Sequence, residues 1–149
     1  MERAFDVLSK ERSDPVFANL AAELGRLHFF KGEKDVAMER VDASLEVAES
    51  IPLTDVVSQA LNTKGIILTS KGRPYEGFGL LRYSLEVALE NDKPSAALRA
   101  YNNLAELLVG RYGVAGVVKH RKRGSVPVPD AVMKDLAGQC DAVITGSGD

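Results

Sequence analysis

Tryptophan is absent from this chain, cysteine occurs once, and aromatic residues make up only 6% of its 149 positions. The lone Cys140 excludes an internal disulfide framework and a cysteine knuckle for zinc. The two histidines, His28 and His120, lie far apart, and neither has a second histidine one helical turn away. No metal site is therefore expected. No apolar run approaches the roughly 20 residues a membrane-spanning helix needs. The opening Met1-Glu2-Arg3-Ala4-Phe5-Asp6 lacks the apolar core of a secretory signal. These absences point to the cytoplasm. Neither sign of charge dominates, with 19 basic and 21 acidic residues and a net charge of −2. That balance argues against a nucleic-acid footprint spread over the whole domain. The phosphate-loop pattern Gly-x-x-x-x-Gly-Lys-Ser/Thr is missing, and Thr145-Gly146-Ser147-Gly148 has no strand before it and no helix after it. Glu39, Asp42, Glu46 and Glu86 fall at helical spacings near Arg40 and Arg82, which describes solvated ion-pair faces. Cys140 has no base specified beside it. No catalytic residue, no cofactor and no enzyme activity are expected.

What the chain does have is self-similarity. At an offset of 40 residues Gly25, Lys31 and Gly32 fall on Gly65, Lys71 and Gly72. Ser44-Leu45-Glu46-Val47-Ala48 recurs unchanged as Ser84-Leu85-Glu86-Val87-Ala88. The register continues, with Ala60, Asn62 and Leu68 falling on Ala100, Asn102 and Leu108. A fixed period in this range marks stacked repeat units.

Within each unit the apolar spacing is helical. Leu20, Leu24 and Leu27 lie at i, i+4, i+7; Val41, Leu45 and Ala48 match Leu81, Leu85 and Ala88. Asp14-Pro15 supplies an N-cap followed by proline at the first helical position. Thr54-Asp55 and Asp92-Lys93-Pro94 give similar starts, and Gly32 and Gly72 sit where the chain must stop and reverse. The resulting map has a first helix at about 2–11 and helices near 15–30, 35–50, 54–70, 74–90 and 94–110. Repeat units lie near 15–50, 54–90 and 94–112, so the repeats occupy 1–112. Residues 113–149 form a divergent cap or tail with a short helix at about 130–137.

These residues resemble tetratricopeptide repeats over roughly residues 4–112. Leu24-Gly25, Gly32 and Ala37 match that family's pattern in the first unit, and Gly65, Gly72 and Gly77 in the second; Ala105 takes the glycine position in the third. Ala100-Tyr101-Asn102-Asn103-Leu104-Ala105 is similar to the longer-period subclass found in bacterial regulatory proteins with ATPase or cyclase modules. Two departures are the period, longer than the usual 34, and Lys64, which stands where a leucine is common. The resemblance implies an all-α fold: a right-handed superhelical array of antiparallel helix pairs, a tetratricopeptide-like α-solenoid. It further implies a concave groove lined by the first helix of each unit, which binds a protein or peptide in bacterial regulation or signalling.

By that register the groove presents Asn19, Arg26, Phe29, Gln59, Asn62, Ile66, Arg99, Asn102 and Glu106. Amides pair with an extended peptide's N–H and C=O groups. Arginine clamps a carboxylate with two parallel bonds. Arg26, Asn62, Arg99 and Asn102 are therefore the leading contact candidates. Set against this, amides at solenoid positions often only join neighbouring helices, Phe29-Phe30 suits packing, and His28 on an apolar side suits a packed histidine. Two other readings stand beside the scaffold. One is a sensory domain enclosing a small effector. The other is nucleic-acid contact through Lys119-His120-Arg121-Lys122-Arg123, a run without interleaved aromatics. Self-association through the C-terminal unit is a further expectation.

Overall fold

The computed structural model describes Phe5, residues 14–113 and residues 129–140. Among them are six helices and no strand: α1 (Pro15–Phe30), α2 (Lys34–Ser50), α3 (Thr54–Ser70), α4 (Pro74–Glu90), α5 (Pro94–Tyr112) and α6 (Asp130–Gln139). The helix anticipated at 2–11 lies outside the described residues except for Phe5, which is helical and buried. The chain divides into two compact units, residues 1–107 and 108–149, with the division inside α5.

The helix ends follow from local chemistry. The Asp14 carboxylate accepts from the Val16 amide at 2.8 Å, satisfying one of the donors that α1 leaves open, and Pro15 needs no partner there. After α1 and α3 the chain reverses through Gly32 (φ +83°) and Gly72 (φ +81°), a left-handed conformation that glycine adopts without steric cost. The amides of Glu33 and Arg73 then reach back to the carbonyls of His28 and Leu68, each at 2.9 Å, closing both helices in the same way. Lys93 repeats this bond to Ala88 at 2.8 Å, with Asp92 in the left-handed position at φ +53°. Three-residue turns leave the joined helices no option but to pack antiparallel.

α1 packs on α2 and α3 on α4, and α3 also rests on α1 and α2. Small residues set the crossing points within each pair. A Cβ on Gly25 would stand 2.5 Å from Val41 Cγ2 and 3.1 Å from the Ala37 carbonyl oxygen. A Cβ on Gly65 would meet Leu81 Cγ at 2.8 Å and the Gly77 oxygen at 2.9 Å. Two of the three apolar clusters among the described residues hold the first two helix pairs together. One joins Phe5, Phe17, Ala21 and Leu24 to Val47 and Val56, with the Phe5 and Phe17 rings 5.1 Å apart. The other joins Val41 and Leu45 to Ala60, Leu61 and Ile67. Burying a side chain such as the fully enclosed Phe17 contributes about 1.5–3 kcal/mol.

Surface charges link the first pair to the second. Lys34 Nζ donates to the Ser70 carbonyl at 2.9 Å, Lys71 pairs with Asp35, and Lys64 pairs with Asp42 at 2.7 Å. Lys64 thus occupies its unusual position as an ion-pair partner for the preceding helix, not as a core residue. The Lys71 ammonium, by hydrogen bond and by charge, holds the Asp35 carboxyl below its usual value. In the second unit α6 carries its apolar residues on one side and buries none of its side chains. Among the described residues, no helix is long and apolar enough to cross a membrane.

Candidate functional site: a cleft across three first helices

A cleft of about 230 Å³ opens where α1, α3 and α5 run side by side. Each helix contributes three residues. α1 brings Arg26, Phe29 and Phe30; α3 brings Asn62, Thr63 and Ile66; α5 brings Arg99, Asn103 and Glu106. Arg26, Ile66 and Glu106 occupy one and the same repeat position, as do Thr63 and Asn103. These side chains line one surface.

Asn62 forms the floor. It is 2% exposed, and both ends of its amide are engaged. Its Oδ1 accepts from Asn103 Nδ2, and its Nδ2 donates to Ser84 Oγ at 3.4 Å. Ser84 Oγ in turn donates to the Leu81 carbonyl at 2.9 Å, while Ser58 Oγ donates to the Ser84 carbonyl at 2.8 Å. This network ties α5 and α4 to α3 through groups that would each cost free energy if left unpaired. Asn62 therefore positions Asn103. Asn103 is half-buried, and its carbonyl and second N–H carry the amide chemistry open to the cleft.

The two guanidinium groups differ. Arg26 is 38% exposed; its Nε lies 3.5 Å from Glu23 Oε2 but is shielded from solvent and makes no hydrogen bond. Its guanidinium carbon stands 5.8 Å from the centre of the Phe30 ring, within cation–π range. Phe30 is 70% exposed and meets Phe29 edge to face, with ring centres 5.8 Å apart. Arg99 is half-buried and has no salt bridge with any described carboxylate. Glu106 is exposed on the same helix face, two turns further along. The arrangement offers two cations, one carboxylate, one amide and an aromatic–aliphatic wall.

Of the groove candidates read from sequence, Arg26, Phe29, Asn62, Ile66, Arg99 and Glu106 come together in this cleft. Gln59 and Asn102 do not line it. Gln59 Nε2 donates to Asp55 Oδ2 at 3.0 Å, and Asn102 is exposed one residue round the helix from Asn103. Asn19 folds back on its own helix, its Nδ2 donating to the Pro15 carbonyl one turn earlier at 2.9 Å. Thr63, Asn103 and Phe30 were the lining residues that sequence reasoning missed.

A second hollow of about 300 Å³ lies at the α4–α5 turn between Ala88, Leu89 and Ala97, with Asp92, Lys93 and Pro94 at its edge. His28 is buried, with Nδ1 against the Glu33 carboxylate across the α1–α2 turn. Among the described residues, no group of three or more His, Cys, Asp or Glu side chains could hold a metal ion. The basic run 119–123 lies outside the described residues.

Residues 82–149 match the model of the UGSC family, a stretch that is less than half of the chain and takes in the later part of α4, all of α5 and α6. No curated protein and no solved structure matches the chain.

Proposed function

We propose that this chain is a protein-interaction scaffold of the tetratricopeptide type, whose helix pairs stack into a right-handed superhelix and hold a segment of a partner protein in the concave cleft. The observation that carries this reading is the alignment of Arg26, Ile66 and Glu106, three equivalent positions of successive units, along one cleft. Stacked repeats create extended surfaces of this kind because each unit contributes the same face. The cleft chemistry suits a peptide bearing an acidic group and an apolar side chain. Arg26 and Arg99 would take the carboxylate, Phe29 and Ile66 the apolar group, and Asn103 one peptide unit. A volume of about 230 Å³ suits one or two side chains of a longer partner. It falls below the roughly 300–1,000 Å³ of pockets that enclose a small molecule, which favours the peptide reading over a small effector. The reading places the scaffold in bacterial regulation or signalling, with the catalytic work done by other proteins.

The test is selection of binding peptides from a random display library against the intact chain. Enriched peptides should carry Asp or Glu beside an apolar residue. Their affinity should fall at least tenfold in both Arg26→Glu and Arg99→Glu variants. Selected peptides that bind both variants as tightly as the parent chain would remove the cleft from the function.

A further inference from the structure

The charges lining the cleft are of both signs, and two of them belong to one helix. Arg99, Asn103 and Glu106 fall at i, i+4 and i+7 on α5 and form one stripe along the cleft wall. All three lie within the unit of residues 1–107. With a rise of about 1.5 Å per residue, Arg99 and Glu106 stand about 10.5 Å apart along the helix axis. Arginine–glutamate pairs elsewhere on this protein are closer in sequence: Arg73 pairs with Glu76, and Arg82 with Glu86 at 3.3 Å. Charges three or four residues apart neutralise each other on a helix surface. Two turns apart, Arg99 and Glu106 do not, and among the described residues neither has an ion pair or a side-chain hydrogen bond.

Between them stands Asn103, with one N–H spent on Asn62 and its Oδ1 and second N–H unspent. A helical partner has no use for that amide, because the N–H and C=O groups inside a helix bond one another. A helix is also about 10–12 Å across, too wide for a hollow that takes one or two side chains. An extended chain offers free backbone groups at every residue. In a flat strand, side chains three residues apart point to opposite sides. In a polyproline II segment, with three residues per turn and a rise of about 3.1 Å, they point to the same side about 9 Å apart. That step is close to the separation of Arg99 and Glu106. Charge complementarity narrows the occupant further. A segment with acidic side chains alone brings like charge against Glu106, and one with basic side chains alone brings it against Arg26 and Arg99.

We infer, on the peptide reading above, that the cleft takes a polyproline II segment carrying an acidic and a basic side chain three residues apart. The acid pairs with Arg99 and the base with Glu106. The backbone between them bonds the Asn103 amide. An apolar side chain from one of the two intervening residues turns towards Ile66 and Phe29, the apolar wall contributed by α3 and α1. The partner is thus a dipolar segment with a set spacing, not an acidic one.

Fluorescence anisotropy with short synthetic peptides and the full chain tests it. The peptides carry one Asp and one Lys at separations of two, three, four or seven residues, in both orders, with Leu between them. A separation of three should bind tightest, by about fivefold or more over the others. Glu106→Lys, a change at an exposed position, should weaken that peptide about tenfold and shift preference to one with a second Asp in place of the Lys. Circular dichroism of the variant shows that its helices are intact. Equal binding at every separation, tightest binding by a helix-forming peptide with charges seven apart, or a Glu106→Lys variant with unchanged preference would each overturn the spacing and the role of Glu106. In those cases, peptides selected by display that still depend on Arg26 and Arg99 would leave the scaffold reading standing. Failure of every peptide, selected or designed, to bind would remove both.

Discussion

Alanine at Gly77 and alanine at Gly79 should have opposite effects, although both lie in the first two turns of α4. Alanine in place of glycine inside a helix ordinarily stabilises by about 1 kcal/mol, through backbone entropy and propensity. At Gly79 nothing lies within 4 Å of the added methyl, so the gain should appear undiminished. At Gly77 the methyl would stand 2.6 Å from the Gly65 carbonyl oxygen and crowd the Thr69 hydroxyl. The carbonyl is backbone and cannot rotate away, so α3 and α4 must part. Overpacking of this kind costs about 1–3 kcal/mol. Displacing Thr69 Oγ1, which donates to that carbonyl at 2.9 Å, costs about 1 kcal/mol more. Subtracting the propensity gain leaves Gly77→Ala destabilised by about 1–3 kcal/mol. For a repeat region of this size that is a melting-temperature drop of roughly 4–8 °C per kcal/mol. Thermal unfolding followed by far-ultraviolet circular dichroism, run on both variants, reads the difference directly. If Gly77→Ala rose in stability alongside Gly79→Ala, the close crossing of α3 and α4 would be wrong, and with it the packing that sets the cleft.

Asn62→Ala should cost about 1–3 kcal/mol in urea unfolding, because Asn103 and Ser84 lose their buried partner. A loss within about 0.5 kcal/mol, as at an ordinary surface site, would mean the network does not join α3 to α5. Asp92→Gly should raise stability by about 0.5–1 kcal/mol by relieving its left-handed backbone; no gain, or a loss, would contradict that turn. The Asp35 carboxyl should titrate below 3.8 by NMR and return towards that value in Lys71→Met. Because its folded value is depressed, the pair contributes to stability above the unfolded value, and the contribution is lost as pH falls through the folded one. The stability gap between parent and Lys71→Met should therefore be present at neutral pH and close in acid. A gap that stays constant through that range would show that the pair is not linked to folding.

Helix ends were legible because their causes lie within a few residues of each end. Asp14-Pro15 opens α1 and Pro94 opens α5 at the expected residues, and Gly32 and Gly72 close α1 and α3 where the sequence marks the reversals. α2, expected from 35, begins at Lys34, and α6 extends from the expected 130–137 to Asp130–Gln139. The division of labour between Asn62, Asn102 and Asn103 was not legible. Neighbouring residues on a helix point about 100° apart, and a modest rotation of α5 against α3 decides which amide meets the other. Gln59 went the same way, because a local carboxylate at Asp55, one turn back, holds its amide.

By itself, then, the sequence determined that this protein is a succession of helix pairs, since periodicity, caps and turn glycines act over a few bonds. Only the tertiary structure decided that Arg26, Ile66, Arg99 and Asn103 share one cleft and that Asn62 is spent beneath it. Those outcomes depend on the angle and depth at which three helices meet, and that is set by the close approach at Gly25 and Gly65 and by the buried polar network between them.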